Sequence, residues 1–342
     1  MPIKFRNSID VSIPPAAVRR LATYFQTITE SAGLTDHWKV RETDKTRSFE
    51  FVGDSRLVYR QQENGLDDYY PANFGYGPIL TLPSLLKRRL LRRWRRPDPL
   101  SLDPILNYEL SAYRHGDLSL GSLEQLDSRN PNWAAVRAVL IANMLIPHLD
   151  AAVGEPRVIL EIGPGSGNLL YCLKKRYPRA SCVFVDLPSS LPFSFANVLS
   201  KKPDATFMLP HEVASGPHFE AVDFVFLRND QVNLIPDRSV DVALNTVSFA
   251  EMSREQIDRY FSELRRVCQS ANVFYCLNRV EKQMVVDGRQ ETIRFHEYPW
   301  LGCDKDIFFR LSEIETPVTT RSAMFERLSV LCVSGAGSNA PS

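Results

Sequence analysis

The stretch Val158-Ile159-Leu160-Glu161-Ile162-Gly163-Pro164-Gly165-Ser166-Gly167-Asn168-Leu169 decides how this chain is read. An apolar run broken only by one carboxylate ends in three glycines at alternate positions, and helix-forming residues follow at once. An apolar run without polar alternation predicts a strand buried on both faces, as in a parallel sheet. The glycines predict a sharp turn whose bare backbone a ligand can approach, because glycine has no Cβ and accepts positive φ. Strand, turn and helix N-terminus in that order are the parts of a cofactor-binding unit. The spacing of its residues decides which kind.

Working outward, residues 131–333 alternate helical and strand-like segments. Helices are expected over 133–149, 168–176, 194–199, 255–267 and 304–311. The fourth of these has Ser253 and Gln256 at capping-box spacing. Strands are expected over 157–162, 182–186, 222–227, 240–246, 272–277, 291–295 and 327–333. This alternation predicts an α/β fold, a doubly wound, mostly parallel Rossmann-like sheet with helices on both faces. Residues 1–130 break the rhythm. They hold helical candidates at 16–30 and 105–113 and proline- and glycine-rich loops at 71–78 and 97–104, and read as a mainly helical N-terminal cap or extension. The small, polar segment 334–342 reads as a disordered tail.

The totals bound the function. The chain has 342 residues, 44% hydrophobic and 24% charged, with a formal net charge of +1. Such a balance gives no global field toward nucleic acid. The six cysteines (172, 182, 268, 276, 303 and 332) form no Cys-x-x-Cys pair and no Cys/His cluster with zinc spacing, so no zinc site is expected and no metal ligand is assigned. Cys182, Cys276 and Cys332 fall in apolar strand-like runs, where free thiols behave as small core residues. The first residues carry no secretory pattern, and no window approaches the roughly 20 apolar residues that span a bilayer. A cytoplasmic protein is expected.

Two nucleotide classes compete for the glycine turn. The dinucleotide fingerprint Gly-x-Gly-x-x-Gly needs a third glycine where this chain has Asn168, which disfavours a nicotinamide-dependent oxidoreductase. A P-loop is excluded, since no Gly-Lys-Ser or Gly-Lys-Thr closes the turn. Instead the pattern runs Glu161-x-Gly163-x-Gly165-x-Gly167. Asp186 ends the next strand, about 20 residues after the turn, where a carboxylate can accept both ribose hydroxyls. Further on stands Asn229-Asp230-Gln231-Val232-Asn233-Leu234-Ile235-Pro236-Asp237-Arg238-Ser239-Val240-Asp241, leading into Leu244-Asn245-Thr246-Val247-Ser248-Phe249-Ala250-Glu251-Met252.

These segments together resemble the Rossmann-like S-adenosylmethionine-dependent methyltransferases. The later runs, with 274–279 and 297–300, resemble a group described as sugar O-methyltransferases. The resemblance covers roughly residues 125–333. It implies S-adenosylmethionine as cofactor, with Glu161 holding the methionine ammonium, Gly163, Gly165 and Gly167 lining the methionine and ribose, and Asp186 on the ribose. Asp230 or Gln231 would border the adenine. Asn245, Ser248 and Glu251 would lie where cofactor and acceptor meet, while Asp241 reads as structural.

A sugar hydroxyl is weakly acidic and must lose its proton as the methyl arrives, so a positioned base is expected. His296, followed by Glu297, is the leading candidate because an unperturbed imidazole titrates near 6.5. Glu251 is the second; His211 and His218 rank lower. No compact carboxylate cluster demands a metal. Residues 87–96, Lys-Arg-Arg-Leu-Leu-Arg-Arg-Trp-Arg-Arg, put seven cations in ten residues. This segment is either a solvated helix face or an anion site for a membrane surface or a nucleotide- or lipid-linked sugar. Other readings are a small-molecule hydroxyl acceptor from secondary metabolism and an inactive cofactor-binding partner protein.

Overall fold

A computed structural model describes residues 8–28, 49–60, 133–213, 221–286, 288–312 and 323–333. The segment 87–96, the candidate helix 105–113, the loops 71–78 and 97–104, His218 and the tail 334–342 lie outside them. The elements are β1 (Ser8–Ser12), α1 (Pro15–Thr27), β2 (Phe49–Val52), β3 (Arg56–Arg60), α2 (Trp133–Ala152), β4 (Val158–Ile162), α3 (Asn168–Arg176), β5 (Ser181–Asp186), α4 (Leu191–Lys201), β6 (Phe207–Met208), β7 (Phe224–Arg228), β8 (Val240–Thr246), α5 (Arg254–Val267), β9 (Cys268–Arg279), β10 (Glu281–Val286), β11 (Arg289–Arg294), β12 (Lys305–Leu311) and β13 (Met324–Val330).

Eight strands form the main sheet in the order β12-β13-β9-β8-β4-β5-β7-β6. The six from β9 to β6 run parallel, and β13 is antiparallel to both of its neighbours. From β4 the chain winds outward through β5 to β7, then returns to β8 on the other side of β4. The sheet is therefore doubly wound, with its switch point between β4 and β8, and the fold is α/β as the alternation predicts.

Side-chain alternation divides the core. Ile159, Cys182, Phe184, Val242 and Leu244 point to one layer with residues of α1, α2, α3 and α4. Val158, Leu160, Ile162, Val183 and Ala243 point to the other, under α5 and the segment Phe295–Trp300. Helix α5 shows why its sequence folds this way. Ile257, Tyr260, Phe261, Leu264 and Val267 are buried at i, i+3, i+4, i+7 and i+10, one stripe of a 3.6-residue period. Burying five such side chains contributes roughly 10 kcal/mol before conformational entropy is charged against it. The capping box forms, with Gln256 N–H donating to Ser253 Oγ and Ser253 N–H to Gln256 Oε1.

The structure corrects three expectations. Segment 304–311, expected as a helix, is the edge strand β12; Ile307, Phe308 and Leu311 fall at i, i+1 and i+4, a spacing a helix shares, and only pairing with β13 decides. The strand expected at 291–295 exists as β11, but it pairs with β10 in a hairpin outside the main sheet. Cys332 is no free core thiol: it is joined to Cys303, while Cys172, Cys182, Cys268 and Cys276 are buried and form no disulfide. In the N-terminal third, α1 (Pro15–Thr27) overlaps the predicted 16–30. The antiparallel sheet β1-β3-β2 beside it was not signalled by the sequence pattern.

Candidate active site

The glycine turn leaves β4 at the switch point, the place where open α/β sheets bind ligands. Gly163, Gly165 and Gly167 all have φ between 56° and 72°, the left-handed region. Two of them have no room for a side chain. A Cβ on Gly163 would collide with Cβ and Oγ of Ser248, and one on Gly167 would lie 2.6 Å from Phe184. Gly165 faces open space, with nothing within 4 Å of where its Cβ would be. This is the point of the turn a ligand can reach. Asn168, at the failed fingerprint position, is a clamp between helices: its Oδ1 accepts from Asn197 Nδ2 and Lys201 Nζ, and its Nδ2 donates to Ser166 Oγ. Burial lowers Lys201 to about 8.

Behind the turn lies Glu161, 1% exposed. Its Oε1 accepts from Thr246 Oγ1 at 2.9 Å, and its Oε2 is buried with no hydrogen-bond partner. Desolvation raises the carboxyl from 4.5 to about 7, against lowering contributions from the Thr246 hydrogen bond and the positive charge of Arg137 on α2. A buried, half-satisfied carboxylate is costly for the protein alone and marks a place where a cation can be received. Asp186, at the end of β5, accepts from Gly165 N–H at 3.1 Å and from Leu187 N–H at 2.8 Å. It thereby ties the second strand to the exposed glycine.

Asn245 has no exposure, and its amide is consumed by protein groups. Nδ2 donates to Ile162 O and Ser248 Oγ, and Oδ1 accepts from Asn278 Nδ2 and Phe249 N–H. It brackets the ends of β4, β8 and β9 beneath the site. Just above it Val247 adopts φ 69°, rare for a β-branched residue and a local strain of about 1–3 kcal/mol. The strain is held by the Val247 N–H bond to Leu277 O at 2.6 Å. It sets Thr246 toward Glu161 and Ser248 against Gly163.

At the end of β7, Asp230 pairs with Arg228 and its side chain is 59% exposed. Gln231 turns inward, accepting from Arg228 N–H and donating to Pro210 O. Asp241 is structural, as expected: one oxygen accepts from the backbone N–H groups of Arg157 and Val158, the other from Gln269. Glu251 sits on the turn Phe249–Glu251 and pairs with Lys282 of β10 at 3.5 Å. His296 is exposed on the turn Phe295–Glu297, whose Glu297 is tied to Arg254 and Arg294. Among the described residues no hydrogen bond joins His296 to Glu251, so the two base candidates stand on separate turns.

Sequence reading missed four participants: Thr246, Arg137, Val247 and helix α1. Thr246 stood inside the quoted motif without a role. Val247 stood there too, and α1 was expected as a helix but not at the site; Arg137 and α1 reach the site across long separations that no local pattern shows. Helix α1 reaches the carboxyl edge of the sheet, where Tyr24 Oη donates to Pro188 O and its ring stacks on His211. Arg20 of the same helix makes a two-pronged ion pair with Glu212.

No protein-family model matches the chain, and no curated protein does. Solved structures with a similar chain trace include 1,6-didemethyltoxoflavin-N1-methyltransferase from Burkholderia thailandensis, 12% identical over 66% of this chain and 89% of that one, TM-score 0.40. A SAM-dependent methyltransferase from Methanosarcina mazei is 15% identical over 55% and 98%, TM-score 0.36. Geranyl diphosphate C-methyltransferase from Streptomyces coelicolor A3(2) is 14% identical over 41% and 45%, TM-score 0.30. These values are too low to carry a ligand or a reaction across. Among the described residues no helix is long and apolar enough to cross a membrane.

Proposed function

We propose that this protein binds S-adenosylmethionine in the switch-point crevice and transfers its methyl group to a sugar hydroxyl. The observation that carries the cofactor reading is Glu161: a buried carboxylate with one unpartnered oxygen, set behind a glycine turn whose middle residue faces open space. An amino-acid zwitterion suits this place. Glu161 would receive the ammonium, and the positive charge of Arg137 would favour the carboxylate. Asp186 would exchange its bond to Gly165 N–H for the ribose hydroxyls, and Gln231 would border the adenine from the end of β7. When bound, S-adenosylmethionine supplies a methyl group already activated on a sulfonium.

The protein's own part is to hold the acceptor oxygen in line and to take its proton. We assign the proton to Glu251 ahead of His296, because Glu251 follows Thr246 and Ser248 on the turn that borders the glycines. The run from Asn245 to Met252 supports a sugar acceptor through its resemblance to sugar O-methyltransferases. The basic segment 87–96 suits an acceptor that carries phosphate.

The test is transfer of radiolabelled methyl to nucleotide sugars and glycan fragments. Label in a sugar, reduced at least tenfold by Glu251→Gln with binding of S-adenosylhomocysteine retained, supports the reading. Label only in non-sugar acceptors removes the sugar. Unchanged turnover in the Glu251 variant removes the base.

A further inference from the structure

The outer edge of β12 is unpaired among the described residues, and it is unusually apolar. Six large hydrophobic residues of the described chain are exposed, and four of them, Leu301, Ile307, Phe309 and Leu311, lie on this strand or the turn before it. Phe309 is 48% and Leu311 49% exposed. The charges of Asp306 and Arg310 are already matched within the chain. Arg310 Nε donates to Glu326 at 2.6 Å, and Asp306 accepts from Arg327 at 2.6 Å and from Ser329. A row of open backbone N–H and C=O groups flanked by apolar side chains is a template for another strand.

We propose that the partner is a second copy of this chain, with two β12 strands pairing antiparallel about a two-fold axis at Phe309. The strand is self-complementary in that register. Phe309 meets Phe309 of the second copy, and Leu311 lies toward the bulge at Ile307 of the second copy. On the opposite face each Arg310, which lies 4.7 Å over its own Phe308 ring, comes beside the Phe308 ring of the other copy. Moving the axis one residue to Arg310 would set two guanidinium groups against each other, and moving it to Phe308 would set Phe309 and Arg310 against the bulged residues 307 and 306, which leaves the register at Phe309. The bulge between Asp306 and Phe308 falls at the start of the strand and leaves Phe308–Leu311 regular. A two-fold contact uses the same patch twice and joins two eight-stranded sheets into one continuous sheet, closing both edges.

Sedimentation velocity from low to high micromolar concentration tests this. The wild-type chain is expected to pass from monomer to dimer, and Phe309→Lys, which places like charges at the axis, to weaken the dimer by about a hundredfold. Phe309→Glu should do the same, and an equimolar mixture of the two variants should restore the dimer as a mixed species. Should either fail to fold by circular dichroism, Phe309→Cys keeps an uncharged side chain at the axis and should give a covalent dimer with a short bis-maleimide cross-linker; absence of that dimer overturns the proposal too. A wild-type chain that stays monomeric overturns the proposal, whatever other protein it binds. So does a dimer indifferent to the lysine, or a mixture that does not re-associate.

Discussion

Replacing Gly163 by alanine brings two costs that the structure separates. The first is backbone: φ is +67°, and an L-residue in the left-handed region costs about 1–2 kcal/mol. The second is space. The new methyl would occupy the position of Ser248 Cβ and Oγ, so Ser248 must move. Its bonds to Ile162 O and from Asn245 Nδ2 would be lost with it. Displacing a packed group costs about 1–3 kcal/mol and each lost hydrogen bond about 1 kcal/mol, so with the backbone cost the whole change should be about 4–7 kcal/mol. Gly165→Ala provides the internal control. Its φ is +56° but no atom lies within 4 Å, so only the backbone cost of about 1–2 kcal/mol remains. Urea unfolding reads the difference of about 3–5 kcal/mol as a gap of at least about 1 M in midpoints. Adding Ser248→Gly to Gly163→Ala should recover about 2 kcal/mol of packing and none of the backbone strain. Equal losses in the two alanine variants, or no recovery with Ser248→Gly, would refute the steric coupling of the two turns.

Other predictions concern buried charge. Glu161 holds in the folded state a proton that the unfolded chain releases between 4.5 and about 7. Stability should therefore fall as pH rises through that window, by at most about 3 kcal/mol, and level off above it. Glu161→Gln should flatten this slope and be the more stable protein above neutral pH, as urea midpoints at about pH 5 and about pH 8 will show; parallel profiles would remove Glu161 as the cause. Asp241→Ala strands the Arg157 and Val158 N–H groups at the start of β4 and should cost about 2–4 kcal/mol in the same assay, with Asp241→Asn costing less. Asp223→Asn removes the negative charge 2.6 Å from Lys174 Nζ, whose side chain is 5% exposed, and should cost about 3–5 kcal/mol by thermal or urea unfolding.

The central strands were legible because burial on both faces writes itself as an apolar run without regular polar alternation, and β4, β5 and β8 carry such runs, each with at most one carboxylate inside it. The glycine turn was legible for a related reason, since three left-handed positions admit little else. The edges were not. β12 touches one neighbour only, so its apolar spacing was free to imitate a helix, and β11 left the sheet because its partner is the adjacent β10. In the site, Glu161, Asp186 and the glycines could be named from their positions after strands. Thr246, Arg137 and Tyr24 could not, because each meets its partner across a separation of 24 or more residues. Asn245 shows the opposite failure: a polar residue at the right strand end, fully consumed in holding three strands together.

The most direct test of the whole account is calorimetric titration of the protein with S-adenosylhomocysteine and, separately, with NAD. We predict saturable one-to-one binding of S-adenosylhomocysteine, weakened at least tenfold by Glu161→Gln and by Asp186→Ala, and no binding of NAD. Binding of NAD without S-adenosylhomocysteine, or S-adenosylhomocysteine binding indifferent to both substitutions, would contradict it.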